Sequence, residues 1–93
     1  MTLQFEWDHR KAEANVSKHS VTFEEAATVF GDPLAQIAND LRHSAREERF
    51  VLLGLSRKQH LLAVMYTDRK NAIRIISARR ATRGEQKTYE EAS

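Results

Sequence analysis

Apolar and polar residues alternate at the start of the chain and then follow a helical pattern. The stretch "LQFEW" places Leu3, Phe5 and Trp7 on one side of an extended chain. This alternation predicts a short strand, with Phe5 and Trp7 in the core. Asp8 is suited to cap a helix, and "HRKAEANVSKH" predicts that this helix ends at about His19.

A second helix is predicted to begin after Thr22. Thr22 is followed three residues later by Glu25, which is the spacing of a capping box, and Val21 stands where a hydrophobic staple begins. Gly31 and the Asp-Pro pair that follows it end this helix.

The middle of the chain predicts an antiparallel sheet. "LAQIA" (34–38) indicates a short strand, and the polar stretch "NDLRHSAREE" (39–48) indicates a loop. "RFVLLGLS" (49–56) and "HLLAVMYT" (60–67) are apolar runs joined by three polar residues, which predicts a hairpin. "DRKN" then forms a second turn, leading into the strand "AIRIISA" (72–78).

The chain ends on a predicted helix. Thr82 and Glu85 repeat the capping-box spacing, and the helix that they open carries Tyr89. The predicted fold is therefore α+β: an N-terminal strand and two helices, an antiparallel sheet of three to four strands, and a C-terminal helix. We expect the helices to cover mostly one face of the sheet.

Length and composition narrow the class of protein. A chain of 93 residues fits one domain over residues 1–93. It has no cysteine, which excludes disulfides and thiolate metal sites. No apolar run approaches the ~18 residues of a membrane-spanning helix. We therefore expect a cytoplasmic protein that does not enter a membrane.

Charge is distributed unevenly along the chain. Residues 1–40 hold three Lys or Arg and seven Asp or Glu, which gives −4. Residues 41–93 hold twelve and six, which gives +6. A basic half favours a polyanionic partner, and the alternative is an ordinary solvated surface.

The last predicted strand is rich in arginine. A guanidinium presents a planar fork of donors that matches the oxygens of a phosphate. Arg74 alternates to the side opposite Ile73 and Ile75, so we expect it on the open face of the sheet. Arg79 and Arg80 are expected just beyond the strand, where a bend can aim both at one pocket. The alternative is that some arginines pair with nearby acids, namely Glu47, Glu48, Glu90 and Glu91.

Several side chains are candidates for proton transfer. The histidines are His9, His19, His43 and His60, and their spacing does not predict a metal site. His19 follows Lys18 at the end of the first helix, where a cation also complements the helix C-terminus. His43 lies in the polar loop, and Glu47 or Glu48 could act as a base or form an exposed acidic pair.

The position of Tyr66 depends on the register of its strand. A two-residue turn would set Arg74 opposite Met65 and turn Tyr66 towards the helices. A three-residue turn would place Tyr66 beside Arg74 on the open face, because a slip of one residue reverses every side chain.

The chain contains no P-loop, Gly-rich dinucleotide fingerprint or Ser/His/Asp elbow. Recognition of a phosphate must therefore come from side chains. A small, arginine-rich chain without a metal site is suited to cleaving RNA. In that reaction the 2′-hydroxyl of RNA is the nucleophile, and the protein supplies a base, an acid and cations.

Four stretches closely resemble the BrnT family of type II toxin–antitoxin systems. They are "FEWDHRKAEANVSKHSVTFEEAATVFGDPLA", "EERFVLLGLS", "LLAVMYT" and "IRIISARRATRGEQKTYEE". The resemblance covers nearly the whole chain in the right order.

The resemblance implies a RelE-like fold and a ribonuclease that cuts RNA and blocks translation, without a cofactor. It also implies an antitoxin partner, BrnA, with a ribbon-helix-helix DNA-binding part. The two proteins would form a heterotetramer that binds operator DNA through the antitoxin. The competing hypothesis is a non-catalytic module that binds nucleic acid or the antitoxin, as a degenerate toxin or co-repressor would.

Carried over by position, the resemblance together with the residue chemistry predicts the cleft. The expected catalytic residues are Lys18, His19, Glu48, Tyr66, Arg79 and Arg80. The expected contacts to RNA phosphates are Arg49, Arg74, Arg79 and Arg80. Further candidates are His43, Glu47 and Tyr89.

Overall fold

The computed structural model describes residues 3–40 and 47–92, which form one mixed sheet with helices on both faces. The strands are β1 (Phe5–Glu6), β2 (Gln36–Asn39), β3 (Phe50–Leu55), β4 (Leu61–Arg69) and β5 (Ala72–Arg80). The helices are α1 (His9–His19), α2 (Phe23–Thr28) and α3 (Arg83–Ala92), and a 3-10 turn (Val29–Gly31) follows α2. The predicted α+β class is confirmed.

The strand order is β1-β5-β4-β3-β2. Four of these strands are antiparallel to their neighbours, as predicted, and β1 joins the sheet as an additional parallel strand beside β5. No helix among the described residues is long and apolar enough to cross a lipid bilayer.

Local capping determines where the helices begin. The Asp8 carboxylate accepts hydrogen bonds from the N–H groups of Arg10 and Lys11, and α1 runs from His9 to His19 as predicted. At α3 the capping box is complete, because Thr82 and Glu85 each accept from the backbone N–H of the other.

The capping box predicted for α2 is formed only in part. The Thr22 hydroxyl accepts from the Glu25 N–H at 3.0 Å. The Glu25 carboxylate instead accepts from the Ser56 hydroxyl and contacts His60 in the β3–β4 hairpin. Glu25 therefore connects α2 to the β3–β4 hairpin through hydrogen bonds.

Two of the three described helices cover one face of the sheet, in agreement with the expectation that they cover mostly one, and α3 packs on the other. One face packs against α1 and α2 around Phe23, Val64 and Ile75. On the other face Tyr89 of α3 packs with Leu53 and Ala63. The physical reason is that β3 and β4 are apolar on both sides, so both sides require cover.

The β4–β5 hairpin has neither of the two registers considered above. Its turn lies at Lys70 and Asn71, later than expected, because β4 extends to Arg69. Arg74 therefore pairs with Thr67, and Tyr66 pairs with Ile75 and faces the helices. The register then shifts, because Met65 pairs with Ser77 and leaves Ile76 as an extra residue in β5.

Candidate nucleic-acid interface

The face of the sheet opposite α1 and α2 carries Arg49, Arg74 and Arg79, and we call it the arginine face. Arg74 pairs with Thr67 and Arg79 pairs with Ala63. Ala63 packs with α3, and alternation along β4 places Thr67 on the same side. Both arginines of β5 therefore project from one face.

A bulge in β5 makes this arrangement possible. Arg74 and Arg79 are five positions apart, and in a regular strand they would point to opposite faces. The extra residue Ile76 brings the two arginine side chains back to the same face. Its effect is also visible in the core, where Ile75 and Ala78 are both buried on the opposite face although they are three positions apart.

Arg49 lies in the same row of the sheet as Arg74. The Asp40 N–H donates to the Arg49 carbonyl at 2.8 Å, which extends the β2–β3 ladder by one pair. The Thr67 hydroxyl donates to the Glu48 carbonyl at 2.7 Å, which holds this end of β3 against β4. Alternation along β3 then places Arg49 on the arginine face, two strand spacings or about 10 Å from Arg74.

Two of these arginines are held by carboxylates from elsewhere in the chain. Arg74 Nη1 donates to Glu6 Oε2 at 2.7 Å. Arg79 binds Glu85 through two bonds, Nη1 to Oε1 at 2.7 Å and Nη2 to Oε2 at 3.0 Å. The bonds from Arg79 lower the pKa of Glu85 to about 2, and the same pair raises the pKa of Arg79.

These partners differ from the acids named by the sequence. Glu6 is brought to Arg74 by the pairing of β1 with β5, and Glu85 belongs to the capping box of α3. Among the acids expected to pair with arginine, Glu47 Oε1 lies 3.5 Å from Nη2 of Arg69, which alternation along β4 places on the same side of the sheet as Thr67.

Arg80 does not share a pocket with Arg79, which corrects the expectation of a bend. Strand β5 continues through Arg80, so the two side chains alternate. Arg80 pairs with Leu62, whose side chain lies in the core beneath α1 and α2, whereas Arg79 pairs with Ala63. The two side chains therefore leave the strand on opposite sides.

Lys18 and His19 lie near the end of β5 that carries Arg80. Asn15, one turn earlier on the same side of α1, is hydrogen-bonded to the backbone of Ala78. His19 is half-buried and Lys18 is exposed. This group of cations borders the C-terminal end of β5, at the edge of the sheet rather than on the arginine face.

Neither tyrosine of the predicted site joins the arginines. Tyr66 is 5% exposed, and its ring lies between Phe30 and Phe50 in the core. Burial, with a smaller contribution from Asp68, raises the pKa of Tyr66. Tyr89 donates its hydroxyl to Asp32 Oδ2 at 2.6 Å, which fixes α3 to the sheet.

The remaining candidates lie at the start of β3. Glu48 is exposed and accepts a long bond of 3.4 Å from Asn39 Nδ2. It directly precedes Arg49, so alternation along the chain turns its side chain away from the arginine face. His43 lies outside the described residues.

Two features have no local signal in the sequence. A groove of about 600 Å³ lies between β2, β3 and the start of α3, and its lining includes Val51, Leu53 and Glu85. Its size is within the range of small-ligand sites. In the β3–β4 hairpin, Ser56 and His60 both contact the buried Glu25 carboxylate. Within residues 3–40 and 47–92, no three His, Asp or Glu side chains converge as metal ligands.

The model of the BrnT family, described as the ribonuclease toxin of a type II toxin–antitoxin system, matches residues 7–85 of the sequence. The chain belongs to the BrnT family. The matched residues include every position of the arginine face and end at Glu85, the partner of Arg79.

The fold agrees with that of a solved BrnT toxin. The crystal structure of the Brucella abortus ribonuclease toxin BrnT superposes with a TM-score of 0.67 at 21% identity, covering 88% of this chain and all of that one. At this identity the likeness shows the fold alone. No protein of curated function matches the sequence closely enough to add to the comparison. Membership of a toxin family implies an antitoxin partner for this BrnT-type chain.

Proposed function

We propose that this toxin is a metal-independent endoribonuclease that binds the phosphates of RNA on its arginine face. Cleavage of the bound RNA inhibits translation in the cytoplasm. The observation that carries the proposal is the convergence of Arg49, Arg74 and Arg79 on one side of the sheet. Two of them are held by hydrogen-bonded carboxylates, so their positions are defined before RNA arrives. Rigid cations of this kind are suited to phosphate recognition.

The proposed reaction uses the nucleophile that RNA itself contains. The 2′-oxygen attacks the adjacent phosphorus and loses its proton to a base on the protein. The bond from phosphorus to the 5′-oxygen breaks, and this oxygen receives a proton from an acid. The products are a 2′,3′-cyclic phosphate and a 5′-hydroxyl, and the extra negative charge of the intermediate requires nearby cations.

We assign the arginines of this face to two roles, binding of RNA phosphates and catalysis of cleavage. Arg49 and Arg74 lie about 10 Å apart across the sheet, a separation that lets them contact successive phosphates. Arg79 stands beside the groove that Glu85 lines, which is suited to hold the reacting nucleotide. We assign to Arg79 the stabilisation of the developing charge and to the groove the ribose and base.

Proton transfer is assigned to residues at the margins of the sheet. We assign the role of base to Glu48, which is exposed at the start of β3. Lys18 and His19 lie with Arg80 near the end of β5 and are placed to donate a proton or bind a phosphate. Single variants Glu48→Gln and His19→Gln separate these roles, because a lost base and a lost acid remove opposite limbs of the pH–rate profile.

The antitoxin partner is proposed to be a BrnA-like ribbon-helix-helix protein. It would dock an acidic segment on or beside the arginine face, which neutralises the cations and excludes RNA. The resulting heterotetramer would bind operator DNA through the antitoxin. A structure of the complex with the antitoxin far from these arginines would contradict occlusion while leaving the toxin activity intact.

Purified protein incubated with single-stranded RNA, with and without EDTA, tests the central proposal. We expect cleavage that resists the chelator, leaves 2′,3′-cyclic phosphate ends and is lost in Arg79→Ala. Arg57→Ala, which removes an exposed arginine of the β3–β4 hairpin, is the matched control and should cleave normally. Tight binding without cleavage would instead support the non-catalytic module.

A further inference from the structure

We infer that Glu85 is a positioning residue for Arg79, fixing its guanidinium so that one unoccupied edge faces the RNA phosphate. This inference rests on the proposed function and extends it to a residue that does not itself contact the substrate. Glu85 would ordinarily be read only as the acid of a capping box.

Within residues 3–40 and 47–92, the hydrogen bonds of Arg79 account for three of its five N–H groups. Nη1 donates to Glu85 Oε1 and, more weakly, to the Arg80 carbonyl at 3.3 Å. Nη2 donates its inner proton to Glu85 Oε2. The pair of donors that remains, one on Nε and one on Nη2, lies along a single edge of the planar group.

That remaining edge is itself a bidentate fork. A guanidinium can bind one oxyanion end-on through its two Nη atoms and another side-on through Nε and Nη2. Glu85 occupies the end-on position of Arg79. The side-on position is then left to bind two oxygens of a phosphate, without the ion pair having to break.

Glu85 is itself rigid, which is what a positioning role requires. Its Oε1 also accepts from the Thr82 N–H at 2.9 Å, and its own N–H donates to the Thr82 hydroxyl at 3.2 Å. The carboxylate is thus fixed to the first turn of α3. Its side chain is 29% exposed and that of Arg79 is 31% exposed, so both lie at the boundary between protein and solvent.

The charge of Glu85 distinguishes this role from simple electrostatics. A carboxylate beside the binding site repels RNA, so its neutralisation should strengthen binding if charge were all that mattered. If Glu85 positions Arg79, neutralisation should instead reduce the rate of the chemical step. Catalytic geometry is sensitive to displacements of about 1 Å, which typically cost on the order of 100-fold in rate.

The variant Glu85→Gln tests the inference, because glutamine also completes a capping box and so preserves α3. We expect kcat on a single-stranded RNA to fall by roughly tenfold or more while KM stays constant or decreases. Glu91→Gln, the same change at an exposed position of α3, is the control and should match the wild type. A wild-type kcat in Glu85→Gln would overturn the inference.

A double-variant cycle separates positioning from a loss of stability. Arg79→Lys keeps the charge and removes the fork, so it should lose kcat as Glu85→Gln does. The double variant should lose little more than Arg79→Lys alone, because both changes destroy one arrangement. Losses that multiply would mean that Glu85 acts independently of Arg79, and would refute the inference.

A readout without catalysis completes the test. In NMR spectra of the wild type, the Nε–H signal of Arg79 should shift on addition of a 2′-deoxy, non-cleavable oligonucleotide, and the shift should be much smaller in Glu85→Gln. An unshifted signal in the wild type would contradict the side-on contact. Wild-type protein that does not cut RNA would overturn the proposed function and this inference together. If the wild type cuts RNA and Glu85→Gln has the same kcat, only the inference would be overturned.

Discussion

Asn15 pairs with the backbone of Ala78 as a neighbouring strand would. Its Nδ2 donates to the Ala78 carbonyl at 2.8 Å, and its Oδ1 accepts from the Ala78 N–H at 3.1 Å. Nδ2 also donates to the Val21 carbonyl at 2.9 Å. Because β1 ends after Glu6, this side chain satisfies the edge of β5 where no strand continues.

Replacement of Asn15 by alanine should therefore be strongly destabilising. The change leaves buried N–H and C=O groups without partners, and we expect a loss of about 2–4 kcal/mol in the free energy of unfolding. Urea denaturation measures it. Asn39→Ala, at an exposed position of β2, is the control and should change stability by less than about 0.5 kcal/mol. Equal effects in the two variants would refute the edge-pairing role.

The buried carboxylate of Glu25 predicts a dependence of stability on pH. Burial raises the pKa of Glu25, but the hydrogen bonds from Ser56 and His60 outweigh it, so the pKa lies below the ordinary 4.5. A lowered pKa in the folded state stabilises the protein above that value, and the stabilisation is lost as the pH falls through the folded pKa. We expect the advantage of the wild type over Glu25→Gln to be constant near neutral pH and to shrink below pH 4.5. An advantage independent of pH would show that the ionised carboxylate is not what stabilises the hairpin.

The phosphate contact assigned to Arg74 predicts a change in the salt dependence of RNA binding. Each neutralised phosphate of a single strand contributes about 0.7 to the slope of log K against log salt concentration. Arg74→Ala should lower the magnitude of that slope by about this amount and weaken binding alike for all RNA sequences. Fluorescence anisotropy at several salt concentrations measures it. An unchanged slope would remove Arg74 from the interface.

Burial of Tyr66 predicts that its hydroxyl is dispensable for cleavage. General acid or base catalysis typically contributes a factor of about 100 to 10,000. Tyr66→Phe keeps the ring between Phe30 and Phe50, and we expect it to reduce kcat by less than about tenfold. Single-turnover cleavage assays measure this. A loss of 100-fold or more would return Tyr66 to the catalytic set.

The sequence predicts well the helix starts and strands that depend on residues close together in the chain. Asp8, Thr22 and Thr82 cap helices through hydrogen bonds to residues two or three positions away, and all three begin helices where expected. The apolar runs of β3 and β4 likewise reveal their strands. Within the site, the prediction that Arg74 faces away from the isoleucines is confirmed by its pairing with Thr67.

What the sequence does not reveal depends on distant pairings. Glu6 and Arg74 are 68 positions apart, and only the parallel contact of β1 with β5 brings them together. The separation of Arg79 from Arg80 follows from where β5 ends, which a short polar stretch does not define. The sequence does not predict Glu85 as a partner of Arg79, because its position is already explained by the capping box of α3.

The bulge at Ile76 makes the basic face depend on the number of residues in β5 as well as on their identity. Deletion of Ile76 would leave Arg79 four positions after Arg74, so a regular strand would still place both arginines on the arginine face. An extra residue between them, with the bulge kept, would instead send Arg79 to the buried side while Arg74 stayed in place. Related toxins should therefore place these two arginines five positions apart where the strand has the bulge and four apart where it does not. A single codon gained there would separate binding of RNA from its cleavage.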